Sequence, residues 1–151
     1  MNYQQQAIAG MNPVELIVAL FDGMVRFLYQ AIDAIANRNE RQRRIAVGRV
    51  LQILMHLQSR LRMDVGGSSA KALSEFYASI FALCLEGSRL ESAERLKEAI
   101  ACIRDVREAW KAAAHDPEVL RVLAREGKPE LTVVARARTA AAEAAHTNWT
   151  A

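Results

Sequence analysis

The chain has little that interrupts a helix and little that performs chemistry. Its 151 residues include only 3 prolines and 7 glycines, set against abundant Ala, Leu, Glu and Arg. Runs of β-branched residues are few, so the composition is helical. There are two cysteines, Cys84 and Cys102. On neighbouring antiparallel helices with a turn near Leu90 they stand about 9 Å out of level, too far for a disulfide. They are expected as small apolar residues in a reducing compartment. No window approaches roughly 18 uninterrupted apolar residues, so no membrane span is expected. The start MNYQQQAIAG lacks a basic region followed by an apolar run, which argues against a secretory signal and for a cytoplasmic protein. The Asn148-Trp149-Thr150 sequon then carries nothing.

Catalytic chemistry is equally sparse. The histidines are His56, His115 and His146, and no carboxylate stands three or four residues from His56. A di-metal bundle site needs repeated Glu-x-x-His on facing helices, and the chain has none. Cys-x-x-Cys, a phosphate-cradling glycine loop and a nucleophile elbow are also missing. Gly66-Gly67 alone reads as a turn. The expectation is a non-enzyme with no cofactor and no metal.

What is present is helical periodicity. Length gives one domain, able to bury roughly 68–70% of its unfolded surface. Asn12-Pro13 followed by Glu15 is a helix start: Asn12 caps, Pro13 suits the first helical position and Glu15 stands three residues past the cap. This first helix should run to about Ala36 and stop at Asn37-Arg38-Asn39. Its large apolar residues, from Val14 to Ile35, cover more than one stripe, which marks a central helix or one facing a partner. A second helix is expected from Glu40 to Arg62, with Val47, Val50, Leu54, Leu57 and Leu61 as its bundle seam. Asp64 to Ser69 reads as a loop ending in a capping serine. The third helix should run from Ala70 to Gly87, with the seam Leu73, Tyr77, Ile80 and Cys84. The fourth should run from Ser92 to Ala113, with Leu96, Ala99, Ile103, Val106 and Trp110. Four such helices with short loops imply an all-α, antiparallel up-down four-helix bundle. Residues 1–12 form a flexible leader, 13–114 the bundle, and 115–151 a C-terminal helical appendage.

Charge is uneven. Residues 1–90 hold 10 Lys/Arg and 7 Asp/Glu, residues 91–151 hold 10 of each, and six arginines but no acid lie between Arg41 and Arg62. Nucleic-acid binding wants a continuous basic face, often with stacking aromatics. These arginines gather at the two ends of the helix, about 25 Å apart. A solvated or acid-facing surface fits them better than a nucleic-acid-binding bundle.

The remaining signal is surplus apolar surface. A bundle core needs about three positions in seven per helix. Leu51 and Met55 lie beside the second seam, and Phe76, Phe81 and Leu85 widen the third. A partner groove, a homodimer interface and a fatter core all fit such a surplus.

The opening stretch also carries a resemblance. Tyr3-Gln4, Ile8, Asn12-Pro13, Leu16-Ile17 and Leu20-Phe21-Asp22-Gly23 stand at the offsets seen in the FliS family, the flagellin-specific secretion chaperones of bacteria. Asp64, Gly66-Gly67, Leu73, Phe76-Tyr77 and Ala109-Trp110-Lys111 continue the likeness over roughly residues 3–113. The chain departs from the family in having Gly10-Met11-Asn12-Pro13 for Thr-Ala-Ser-Pro, Phe81-Ala82 for an arginine pair, and a long tail. The resemblance implies a cytoplasmic chaperone that binds the disordered C-terminal segment of flagellin. It would block premature polymerisation and serve flagellar type III secretion and its export components. It also implies a leader that covers the groove when flagellin is absent. On that basis the groove is expected at Leu51, Met55, Phe76, Phe81 and Leu85, with Tyr3 and Ile8 as its cover. A self-associating scaffold or adaptor of the export apparatus is the alternative.

Overall fold

The computed structural model describes residues 13–61 and 63–114. They form four helices: α1 (Pro13–Ala36), α2 (Glu40–Ser59), α3 (Met63–Arg89) and α4 (Ala93–Ala114). Each packs chiefly on its chain neighbours, and α4 closes the ring against α1. The result is an all-α, up-down four-helix bundle.

α1 spans the expected residues; Asn12, Tyr3 and Ile8 lie outside the described part. α2 stops three residues early, at Ser59, where the Arg60 and Leu61 N–H groups fall back onto the Leu57 and Gln58 carbonyls. The expected loop at Asp64–Ser69 is instead the opening of α3. Glycine costs about 1 kcal/mol relative to alanine inside a helix. Two glycines lower the propensity of such a segment without ending the helix.

Two turns at one end of the bundle share one construction. In the first, the Arg38 N–H donates to the Ile35 carbonyl at 3.1 Å and the Asn39 N–H to the Ala34 carbonyl at 2.8 Å. In the second, Glu91 donates to Ser88 at 3.2 Å and Ser92 to Gly87 at 2.9 Å. Both are Schellman closures, and both put a non-glycine residue in the left-handed region, Arg38 at φ 54° and Glu91 at φ 51°. The following residue caps the next helix. Asn39 Oδ1 accepts from the Gln42 N–H at 3.1 Å and Ser92 Oγ from the Arg95 N–H at 3.3 Å. The turns are tied together through Arg43, almost fully buried, whose Nη1 donates to Glu91 Oε1 at 2.5 Å.

The seams pack as periodicity demands. Val47, Val50, Leu54 and Leu57 of α2 meet Leu73, Tyr77, Ile80 and Cys84 of α3 and Leu96, Ala99, Ile103, Val106 and Trp110 of α4 in one buried core. Phe21 sets its ring against Tyr77 in a T-shaped contact with centroids 6.3 Å apart. α1 differs from a wholly enclosed helix. Val14, Phe21, Met24 and Leu28 are buried, while Leu20, Val25, Phe27 and Ile32 are half-buried beside them. Its apolar stripe is wide enough to reach both flanks, against α2 and against α4.

Candidate functional site

The run Leu20-Phe21-Asp22-Gly23 sends each residue to a different neighbour. Phe21 is core. Asp22 accepts hydrogen bonds from Arg107 of α4. A Cβ on Gly23 would stand 3.5 Å from Ile53 Cδ1 of α2. Leu20 lines an open cleft between α1 and α2. The motif therefore locks α1 to its neighbours on both sides.

The five expected groove residues do not share one face. The Gln58 Nε2 donates to Ser74 Oγ, which fixes the register of α2 against α3. Leu51 lies seven residues before Gln58 and Phe81 seven after Ser74, so the two stand level on the same flank. Leu85, eleven residues after Ser74, continues that flank, and Met55 begins it. Met55 is 63% exposed and Leu85 47%; Leu51 and Phe81 are half-buried against the core. Together they make an apolar strip about 12 Å long along the helix axes. Phe76 is not part of it. It stands three turns before Gly87, on the face of α3 where a Gly87 Cβ would come within 2.7 Å of Leu96 Cδ2 of α4. Its ring tilts against Tyr77 at 5.8 Å.

Periodicity missed a second feature, on the opposite flank of α2. An open cleft of about 540 Å³ runs between α1 and α2, lined by Leu20, Phe27, Arg49, Gln52, Ile53 and His56. The guanidinium groups of Arg26 and Arg49 lie 5.5 and 5.4 Å from the centre of the Phe27 ring. The sequence holds the clue in the half-enclosed apolar residues of α1, but only the helix register brings Phe27 beneath Arg49.

The perturbed titrations are structural. Burial pushes the Cys84 thiol up to about 12 and the Tyr77 phenol well above its ordinary value. The hydrogen bond to Asp22 raises Arg107, which stays charged. Among the described residues no group of three or more His, Cys, Asp or Glu side chains could hold a metal. No helix there is long and apolar enough to cross a membrane. No disulfide joins Cys84 to Cys102. The site offers packing surface and cationic edges, the means of binding another chain.

The family model for Flagellar protein FliS matches residues 1–117. The chain belongs to the FliS family. Its relatives include the flagellar secretion chaperone FliS of Campylobacter jejuni, 29% identical over 117 residues, covering 78% of this chain and 91% of that protein. The flagellar secretion chaperone FliSB of Pseudomonas aeruginosa is 27% identical, covering 75% of this chain and 93% of the relative. FliS of Vibrio cholerae is 25% identical, covering 68% and 76%. Family membership is that of flagellar secretion chaperones. The sequence beyond residue 117 falls outside the match.

Proposed function

We propose that this protein is an export chaperone whose α2/α3 flank holds the C-terminal segment of flagellin. The observation that carries the reading is the strip of Met55, Leu51, Phe81 and Leu85, with two large apolar side chains open to water on a family member of the secretion chaperones. An amphipathic segment laying its apolar face on such a strip buries it without a preformed deep pocket. A 12 Å strip matches about eight residues of helix, a little over two turns. A disordered client pays its ordering entropy on binding, which keeps affinity moderate and release feasible. Sequestration of that segment prevents premature polymerisation in the cytoplasm and presents flagellin to the export apparatus.

The leader completes the scheme. Tyr3 brings an aromatic ring and Ile8 an apolar side chain on a segment without charged residues, suited to covering the strip until flagellin displaces it.

The test is titration calorimetry with a flagellin C-terminal peptide against the wild type and the Leu51→Asp/Met55→Asp variant. Binding lost with helical content retained supports the reading. Unchanged affinity removes this strip as the site. Light scattering with and without the peptide separates a chaperone, which forms a 1:1 complex, from a self-associating scaffold or homodimer.

A further inference from the structure

The α1/α2 cleft is independent of the α2/α3 strip and lies on the other side of α2. Its floor is apolar, made by Leu20, Phe27 and Ile53, and its rim carries Arg49, Gln52 and His56. Arg26 and Arg49 are both held over the single Phe27 ring, 5.5 and 5.4 Å from its centre. Cation–π contact is attractive for each, but a ring carries no net charge to neutralise either cation. Three other arginines that bridge helices or turns have carboxylate partners, Arg43 with Glu91, Arg95 with Glu86 and Arg107 with Asp22, while Arg104 of α4 lies over the Tyr29 ring of α1. Among the described residues no carboxylate pairs with Arg26 or Arg49. After Glu40 at its start, α2 has no acidic residue of its own.

We propose that this cleft is a second docking site, for an acidic amphipathic helical segment of a partner protein. An apolar face would fill the floor of Leu20, Phe27 and Ile53. A carboxylate at the edge of that face would accept from Arg49 at the rim, the fork geometry of guanidinium suiting a carboxylate, and Arg26 adds to the positive field beside it. Residues 1–12 have no charge, and residues 115–151 hold five acids and five bases, so neither is acidic overall. The apolar floor favours a peptide over a nucleic-acid backbone, whose phosphates would leave it uncovered.

Two designed peptides of about 18 residues, five turns of helix, test this on the full chain. They share one leucine face; one carries glutamates beside it and the other lysines. Amide NMR titration reports site and affinity together. The glutamate peptide is expected to move the amides of residues 20–27 and 49–56, and to bind at least about tenfold more tightly than the lysine peptide, as one charge-assisted hydrogen bond implies. The double variant Arg26→Gln/Arg49→Gln should lose about tenfold in affinity for the glutamate peptide. Arg49→Lys, which keeps the charge but not the fork, should fall between the wild type and the double variant, and Met55→Asp should leave it unchanged. Equal binding of both peptides, wild-type affinity in the double variant, shifts confined to the α2/α3 flank, or a short oligothymidine binding more tightly than the glutamate peptide would each overturn the proposal. The Met55→Asp comparison keeps this outcome separate from that of the flagellin strip.

Discussion

Arg107 of α4 grips the carboxylate of Asp22 on α1 with a fork: its Nε donates to Oδ1, and its Nη2 donates to Oδ2 at 3.2 Å. Asp22 is the polar member of the run that most resembles the family, and its partner shows that it works as a strut. Its side chain is half exposed, so water and salt screen the pair. Asp22→Ala is expected to cost about 0.2–1 kcal/mol of unfolding free energy, the range for an exposed pair. A double-mutant cycle with Arg107→Ala measures it, and the coupling should shrink at high salt. Additive single effects would mean that the fork contributes nothing.

Two helical glycines should respond oppositely to alanine. A Cβ at Gly48 meets nothing within 4 Å, so Gly48→Ala gains helix propensity alone, about 1 kcal/mol of stability. A Cβ at Gly87 would come within 2.7 Å of Leu96 Cδ2 and 3.1 Å of its Cγ. Leu96 is fully buried, so Gly87→Ala overpacks the α3/α4 contact and should cost about 1–3 kcal/mol. Urea unfolding of the two variants gives both signs.

Arg38 and Glu91 occupy equivalent left-handed positions but have different duties. Arg38→Gly removes the strain of a side chain at φ 54° and should stabilise by about 1 kcal/mol. Glu91→Gly relieves the same strain but takes the carboxylate from buried Arg43, whose remaining acid, Glu40, is 3.8 Å away. Losing a buried cation's partner costs more than the strain, so Glu91→Gly should destabilise. Thermal melts of the two variants should move in opposite directions.

The Cys84 thiol titrates at about 12 when folded, against 9.0 for an ordinary thiol. Below about pH 9 it is neutral in both states and stability does not depend on it. Between these values the unfolded chain releases the proton and the folded chain keeps it, so rising pH lowers stability. Comparing denaturant midpoints at about pH 8 and about pH 10.5, Cys84→Ala should show a smaller fall than the wild type. An equal fall would show that Cys84 is not among the groups responsible.

Much of the bundle was legible because its seams obey one period. Leu73, Tyr77, Ile80 and Cys84, and Leu96 to Trp110, were expected inside and are buried. The start of α3 is not legible from propensity alone, because its glycines and serine pair look like a loop. The candidate strip was partly legible. Phe76 and Phe81 both look surplus to the α3 seam, yet one turns toward α4 and the other toward α2. Only the Gln58–Ser74 contact and the Gly87–Leu96 approach separate them. The α1/α2 cleft was hidden for the same reason. Phe27 and Arg49 are 22 residues apart in the chain (49 − 27) and meet only through the antiparallel register.

The leader's role makes a separate prediction. If Tyr3 and Ile8 cover the α2/α3 strip, deleting residues 1–11 should strengthen binding of a flagellin C-terminal peptide, because the client no longer competes with an internal occupant. Weaker binding in calorimetry would show that the leader contributes contacts instead.

The central claim is that the strip of Met55, Leu51, Phe81 and Leu85 receives flagellin. Calorimetric titration of a flagellin C-terminal peptide into Leu51→Asp/Met55→Asp tests it most directly, with circular dichroism on the same sample. Met55 borders water and Leu51 is half-buried beside the seam rather than in it, so the helices should persist while peptide binding disappears. Wild-type affinity in that double variant would contradict the account.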